Sequence, residues 1–170
     1  MPLSPKSDGE PPVQSAADIV DVIDRIAHIE NIINQVIVGY CKPRKEAWEF
    51  MWSIVLDTSV MPLGAKAKVV MALSQEIGCT LDKNSLHKVI ALRNAFAHHA
   101  SNAHPVFIVG RTPEENTSLL QILMLDGSGK VSRISRHEAF IQFNAVYQAA
   151  RESLLKLLNI VRDRCGRSDV

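Results

Sequence analysis

The sequence predicts a mainly α-helical protein: a bundle of about five helices with a small antiparallel β insertion before a long C-terminal helix. Three observations carry this expectation. Apolar residues recur every three or four positions in four separate stretches between residues 15 and 100. From about 105 to 134 the period changes to short β-branched and leucine-rich runs divided by turn residues. The last long stretch returns to helical spacing.

The elements follow in order. Residues 1–14 carry four prolines and read as a disordered leader, leaving 15–170 as one domain. Ser15 is the expected N-cap of a first helix. Ile19, Val22, Ile23, Ile26, Ile29, Ile33, Val36, Ile37 and Tyr40 form its apolar stripe, and Lys42-Pro43 ends it. A second helix is expected over 44–56, with Trp48, Met51, Trp52 and Val55 on its apolar side. A third, over 65–77, stops at Gly78. Leu81 or Asp82 opens a fourth that ends near 98–101. Strands are expected at 105–109, 118–125 and 130–134, with Asp126-Gly127-Ser128-Gly129 as a hairpin turn. Ser135 and Glu138 have capping-box spacing and start the last helix, which runs to about Arg164. At about 1.5 Å per residue that helix spans on the order of 40 Å, more than a compact domain of this size needs, and so predicts a homodimer.

Composition narrows the function classes. With 170 residues, 46% of them hydrophobic, the chain is long enough for a real core. Nineteen basic and 18 acidic residues leave a net charge of +1, so any nucleic-acid contact must be local rather than a basic coat. No apolar run has transmembrane length, and the N-terminal residues lack the apolar core of a signal peptide. Three scattered cysteines, Cys41, Cys79 and Cys165, read as free thiols in a reducing cytoplasm, not as a disulfide framework or zinc ribbon.

The stretch most loaded with chemistry is Leu92-Arg93-Asn94-Ala95-Phe96-Ala97-His98-His99. At about 100° per residue, Arg93 falls near the middle of an apolar arc made by Leu86, Val89, Ile90, Leu92, Phe96, Ala97 and Ala100. A guanidinium against apolar surface needs an anion. His87, Ala91, Asn94 and His98 line up on a neighbouring face, and Asn94 and His98, four apart, can meet. An imidazole there is easily poised for proton transfer near neutral pH. Arg93 and His98 themselves stand about 140° apart on an ideal helix, so they converge through the arginine's length, a frayed helix end or a partner chain. Two structural alternatives compete: Arg93 pairs with Asp24 or Glu30 of the first helix, and His98 caps the helix C-terminus.

Arg93-Asn94-Ala95-Phe96-Ala97-His98 resembles the Arg-x(4–6)-His motif of HEPN domains, including the polar residue after the arginine. The stretch Pro62-Leu63-Gly64-Ala65-Lys66, a helix, and then 92–98 looks most like the HEPN-like proteins that include mannitol operon repressors. The resemblance covers about 59–99. It implies a helical bundle that dimerises with its motifs facing across a cleft. For active members it implies metal-independent RNA cleavage, of the sort found in toxin and defence systems. His98 is then the acid/base, Arg93 the phosphate clamp and Asn94 the orienting group, with His87 and His99 as flanking substrate contacts. No metal or cofactor is expected; the partners are a second copy, an RNA substrate and a protein partner or antitoxin. The predicted strands between motif and last helix depart from the family pattern. The alternative is a non-catalytic HEPN-like transcriptional regulator or protein-interaction scaffold.

Other motifs are weaker. His98, His99, His104 and Cys79 match no zinc-ligand spacing. Trp48 and Trp52, four apart, fit core or interface better than a base-stacking platform. Arg162, Arg164 and Arg167 suit a helix C-terminus better than an RNA groove.

Overall fold

The computed structural model describes the backbone of residues 12–99, 105–108, 117–125 and 129–166, and side chains for 19–97, 122 and 129–164. The order is α1 (Pro12–Cys41), α2 (Lys45–Phe50), a π-helical turn (Met51–Val55), α3 (Leu63–Ile77), α4 (Lys83–His99), β1 (Pro105–Ile108), β2 (Thr117–Leu125), β3 (Val131–Ser135) and α5 (Arg136–Gly166). The chain is mainly α-helical, as the periodicity predicts, and its three strands form an antiparallel sheet in the order β1-β2-β3. Ile122 of the central strand is fully buried, which fixes which face of β2 meets the helices.

Several boundaries differ from expectation. α1 begins at Pro12, not after Ser15, so residues 12–14 of the expected leader are helical. Proline is tolerated there because the first helical N–H has no intrahelical partner in any case. The second helix is α-helical only to Phe50 and then widens into π-helix, and none of its residues is buried. α3 starts at Leu63, two residues early, and ends at Gly78 as expected. Gly78 takes the left-handed conformation (φ 72°), and its N–H and that of Cys79 return to Gln75 and Ser74, closing the helix end. Asp82 caps α4: its carboxylate accepts the Ser85 N–H at 3.0 Å. Ser135 caps α5 by accepting the Glu138 N–H at 3.1 Å, while Glu138 accepts from Gln142 rather than reaching back. Cys165 and Arg167, like His104 and the 126–128 part of the expected turn, fall among residues whose side chains or backbone lie outside this description.

The core is a long seam. Val22, Ile26, Ile29, Ile33 and Val36 of α1 pack with Phe143, Tyr147, Leu154, Leu157, Leu158 and Val161 of α5, and Leu86, Val89, Leu92 and Phe96 of α4 close the third side. Phe96 meets Phe143 edge-on at 6.4 Å, and Phe143 stacks on Tyr147 at 6.1 Å, arrangements that suit aromatic quadrupoles. α1 and α5 run parallel: Arg25 bonds to Asn144 at one end and Arg162 to Gln35 at the other. The bundle therefore has two ends. The last turns of α4 lie at the Phe143 end; the start of α2 lies at the Arg162 end.

One polar group crosses the core. Lys66 is completely buried, with its ammonium on the Glu30 carboxylate and the Leu56 carbonyl. Thr58 also donates to Glu30, at 2.6 Å. This ties α1, α3 and the chain between them at one point.

Candidate functional site

Arg93 sits on α4, six residues from the helix end, where alternate turns of Leu86, Val89, Leu92 and Phe96 anchor the helix. The buried face is turned relative to expectation. Ala95 is buried, while Ile90 and Ala97 are only half-buried, which moves the centre of the apolar arc away from Arg93. Arg93 is therefore half-buried at the edge of the arc rather than in its middle.

Neither carboxylate expected as its structural partner is paired with it. Glu30 is taken by Lys66 and Thr58, and Asp24 is exposed. Arg93 instead donates to the neighbouring Asn94 carboxamide oxygen at 3.2 Å, and among the described residues it makes no ion pair. A guanidinium has five N–H donors in a planar fork. With one engaged, the rest can take a phosphate in the bidentate geometry that suits it.

Asn94 and His87 are exposed on the same side of α4, with half-buried Ala91 between them, as the stripe predicts. The Asn94 carboxamide oxygen faces Arg93 and accepts its hydrogen bond. The His98 and His99 side chains, and with them the expected Asn94–His98 contact, lie outside the described residues.

A second polar cluster, not marked by any local sequence pattern, lies at the same end. Arg25 lies over the Tyr147 ring, 5.5 Å from its centroid, while bonding Asn144 and pairing with Asp21 at 2.9 Å. His28 Nδ1 and the Tyr147 hydroxyl are 3.2 Å apart. These pairs join residues 119 positions apart, a separation no local pattern can signal. Phe143, touching both Phe96 and Tyr147, connects this cluster to the end of α4.

Neither Trp48 nor Trp52 is buried, and only Trp52 packs against the core. They stack in parallel, 5.5 Å between centroids and 4° between planes, with Trp48 46% exposed. They line a cavity of about 460 Å³ at the opposite end of the bundle, together with Asn31, Gln35, Leu158 and Arg162.

Among the described residues no helix is long and apolar enough to cross a membrane, and no three metal-ligating side chains gather. Comparison of the chain with protein-family models, curated proteins and solved structures finds no match.

Proposed function

We propose that the chain is a metal-independent endoribonuclease of the HEPN type, acting as a homodimer with Arg93, Asn94 and His98 of two copies around one RNA phosphate. One observation carries the reading: Arg93 is a half-buried cation whose bond among the described residues goes to a neutral carboxamide, while Glu30 serves another cation. A positive charge at a helix edge, with no carboxylate partner among the described residues, suits an anion that arrives from outside.

The chemistry needs two copies. One imidazole takes the 2′-hydroxyl proton as the 2′-oxygen attacks phosphorus; another gives a proton to the departing 5′-oxygen. Arg93 balances the charge that grows on the phosphorane oxygens. The products are a 2′,3′-cyclic phosphate and a 5′-hydroxyl. His87 and His99 are assigned to flanking contacts with substrate. The reading carries with it a toxin or defence setting, a protein antitoxin and a cytoplasmic site of action.

The test is cleavage of mixed RNA in EDTA. His98→Ala should lower the rate about 10²–10⁴-fold, the usual loss for a general acid/base. Loss of cleavage on chelation, or full activity in His98→Ala, refutes the proposal. A second reading, a non-catalytic regulator or interaction scaffold, is favoured by the α2 and π-helical segment: Trp48, Phe50 and Ile54 are 46%, 61% and 50% exposed, an unusual cost for an isolated surface. A folded dimer that cuts no RNA favours that reading.

A further inference from the structure

The two tryptophans and the C-terminal arginine, each better suited to a structural role on spacing alone, meet in one groove. Its aromatic wall is Trp48 stacked on Trp52, and Trp52 is seated against the core. Its facing wall is a polar chain: Arg162 donates to Gln35 at 2.8 Å, and Gln35 donates to Asn31 at 2.6 Å. Leu158, Val38 and Gly39 form the apolar floor.

We propose that this groove binds a nucleotide unit, its base stacked on the open face of Trp48 and its phosphate held by Arg162. Shape and charge both select that occupant. Trp52 covers one face of Trp48, and the exposed remainder offers a flat apolar surface of the kind on which bases stack. The polar wall is rich in donors: after the two bonds above, Arg162 keeps four N–H groups, Asn31 its amide hydrogens and Gln35 one. Among the described residues Arg162 makes no ion pair, so its charge is available to a ligand. A planar ligand with acceptor edges and a negative charge complements all three features. The cavity, about 460 Å³, falls in the range of small-molecule sites.

The same chemistry has two sources, a free mononucleotide or one residue of an RNA strand. From Phe143 to Arg162 the α5 axis rises roughly 28 Å, so one nucleotide cannot reach both Arg93 and the groove, whereas a strand of several can. The RNA source rests on the ribonuclease reading; the groove's chemistry does not.

The chain has two tryptophans, both in the groove, so intrinsic fluorescence reports this site alone. The His98→Ala protein is titrated in EDTA with adenosine monophosphate and with a short oligoadenylate, binding being confirmed by calorimetry. Saturable quenching by both is expected, tighter for the oligonucleotide if RNA is the source; quenching by the mononucleotide alone supports the site with a free nucleotide as ligand. Arg162→Glu should weaken binding at least about tenfold and flatten its salt dependence. Trp48→Ala should weaken it about 5- to 100-fold by calorimetry. Circular dichroism melts of both variants should match the parent, since both residues are exposed. Absence of quenching by either ligand at millimolar concentration overturns the proposal, as does unchanged binding in Trp48→Ala. Emission that shifts on dilution together with a halving of mass, and is lost in Trp48→Ala, places a second copy in the groove and overturns it as well. Binding without cleavage by the parent protein defeats the ribonuclease reading alone; cleavage without binding defeats the groove alone.

Discussion

Replacing Lys66 by methionine tests how the polar crossing contributes to stability. The side chains have similar length, so the change removes the ammonium and leaves little void. It strands the Glu30 carboxylate and takes the donor from the Leu56 carbonyl. Removing one partner of a buried ion pair typically costs about 3–5 kcal/mol. Here the Glu30 side chain is 19% exposed and keeps Thr58, so water and a hydroxyl soften the loss toward the lower end. Adding the carbonyl, the expected cost is about 3–4 kcal/mol. For a chain of this size that lowers Tm by about 10 °C. Removing both charges, in Lys66→Met/Glu30→Leu, should bring stability back to within about 1 kcal/mol of the parent, because the pair also costs desolvation. Urea unfolding followed by far-UV circular dichroism measures all arms of the cycle. A single-variant cost below about 1 kcal/mol, or a double variant whose loss equals the sum of its parts, would refute the assignment of Lys66 as a coupled buried cation.

Three further outcomes follow from the geometry. Arg93→Ala should leave unfolding free energy within about 1 kcal/mol of the parent while abolishing RNA cleavage, because the guanidinium is half-buried and neutralises no carboxylate among the described residues; a large drop in denaturation midpoint would make Arg93 structural. Asp82→Ala should cost about 1 kcal/mol near neutral pH as the cap of α4 is lost. The Ser85 hydrogen bonds hold the Asp82 carboxyl below its ordinary value of 3.8, so this stabilisation is present above 3.8 and disappears as the pH falls through the lower folded value; thermal melts of parent and variant should converge only in strong acid. Gly39→Ala should cost about 1–2 kcal/mol, because the new methyl would stand 3.0 Å from Cγ1 of buried Val161 and force α1 and α5 apart, a loss that Val161→Ala should partly relieve in the double variant.

The helices were legible because amphipathic periodicity is a local signal. α3, α4, α5 and all three strands lie within about two residues of their expected bounds, and Gly78, Asp82 and Ser135 act as the stop and caps their chemistry predicts. The π-helical turn was not legible, since a run such as Met51 to Val55 has the same apolar spacing whether it closes on the fourth or the fifth residue. Arg93 lies shallower than periodicity predicts, because periodicity weights every apolar residue alike while packing buries Ala95 in preference to Ile90 and Ala97. The burial of Lys66 had a readable sign. It shares the face of Leu63, Val70 and Ile77, and a cation on an apolar stripe needs an anion, which Glu30 supplies to Lys66. The Trp groove needed the fold, because Trp48 and Arg162 come from helices more than a hundred residues apart.

The parallel pairing of α1 with α5 sets the timing of folding during synthesis. Arg25 meets Asn144 across 119 residues and Gln35 meets Arg162 across 127, so the isoleucine-rich stripe of α1 has no permanent cover until almost the whole described chain has been made. At about 5–20 residues per second, that stripe waits on the order of 10 s beside a ribosome. During this interval α3 and α4 can shield it in part, and the nascent chain is most exposed to aggregation and chaperone capture. A helical protein, usually a fast folder because its contacts are local, is here made to close last on its most distant pair.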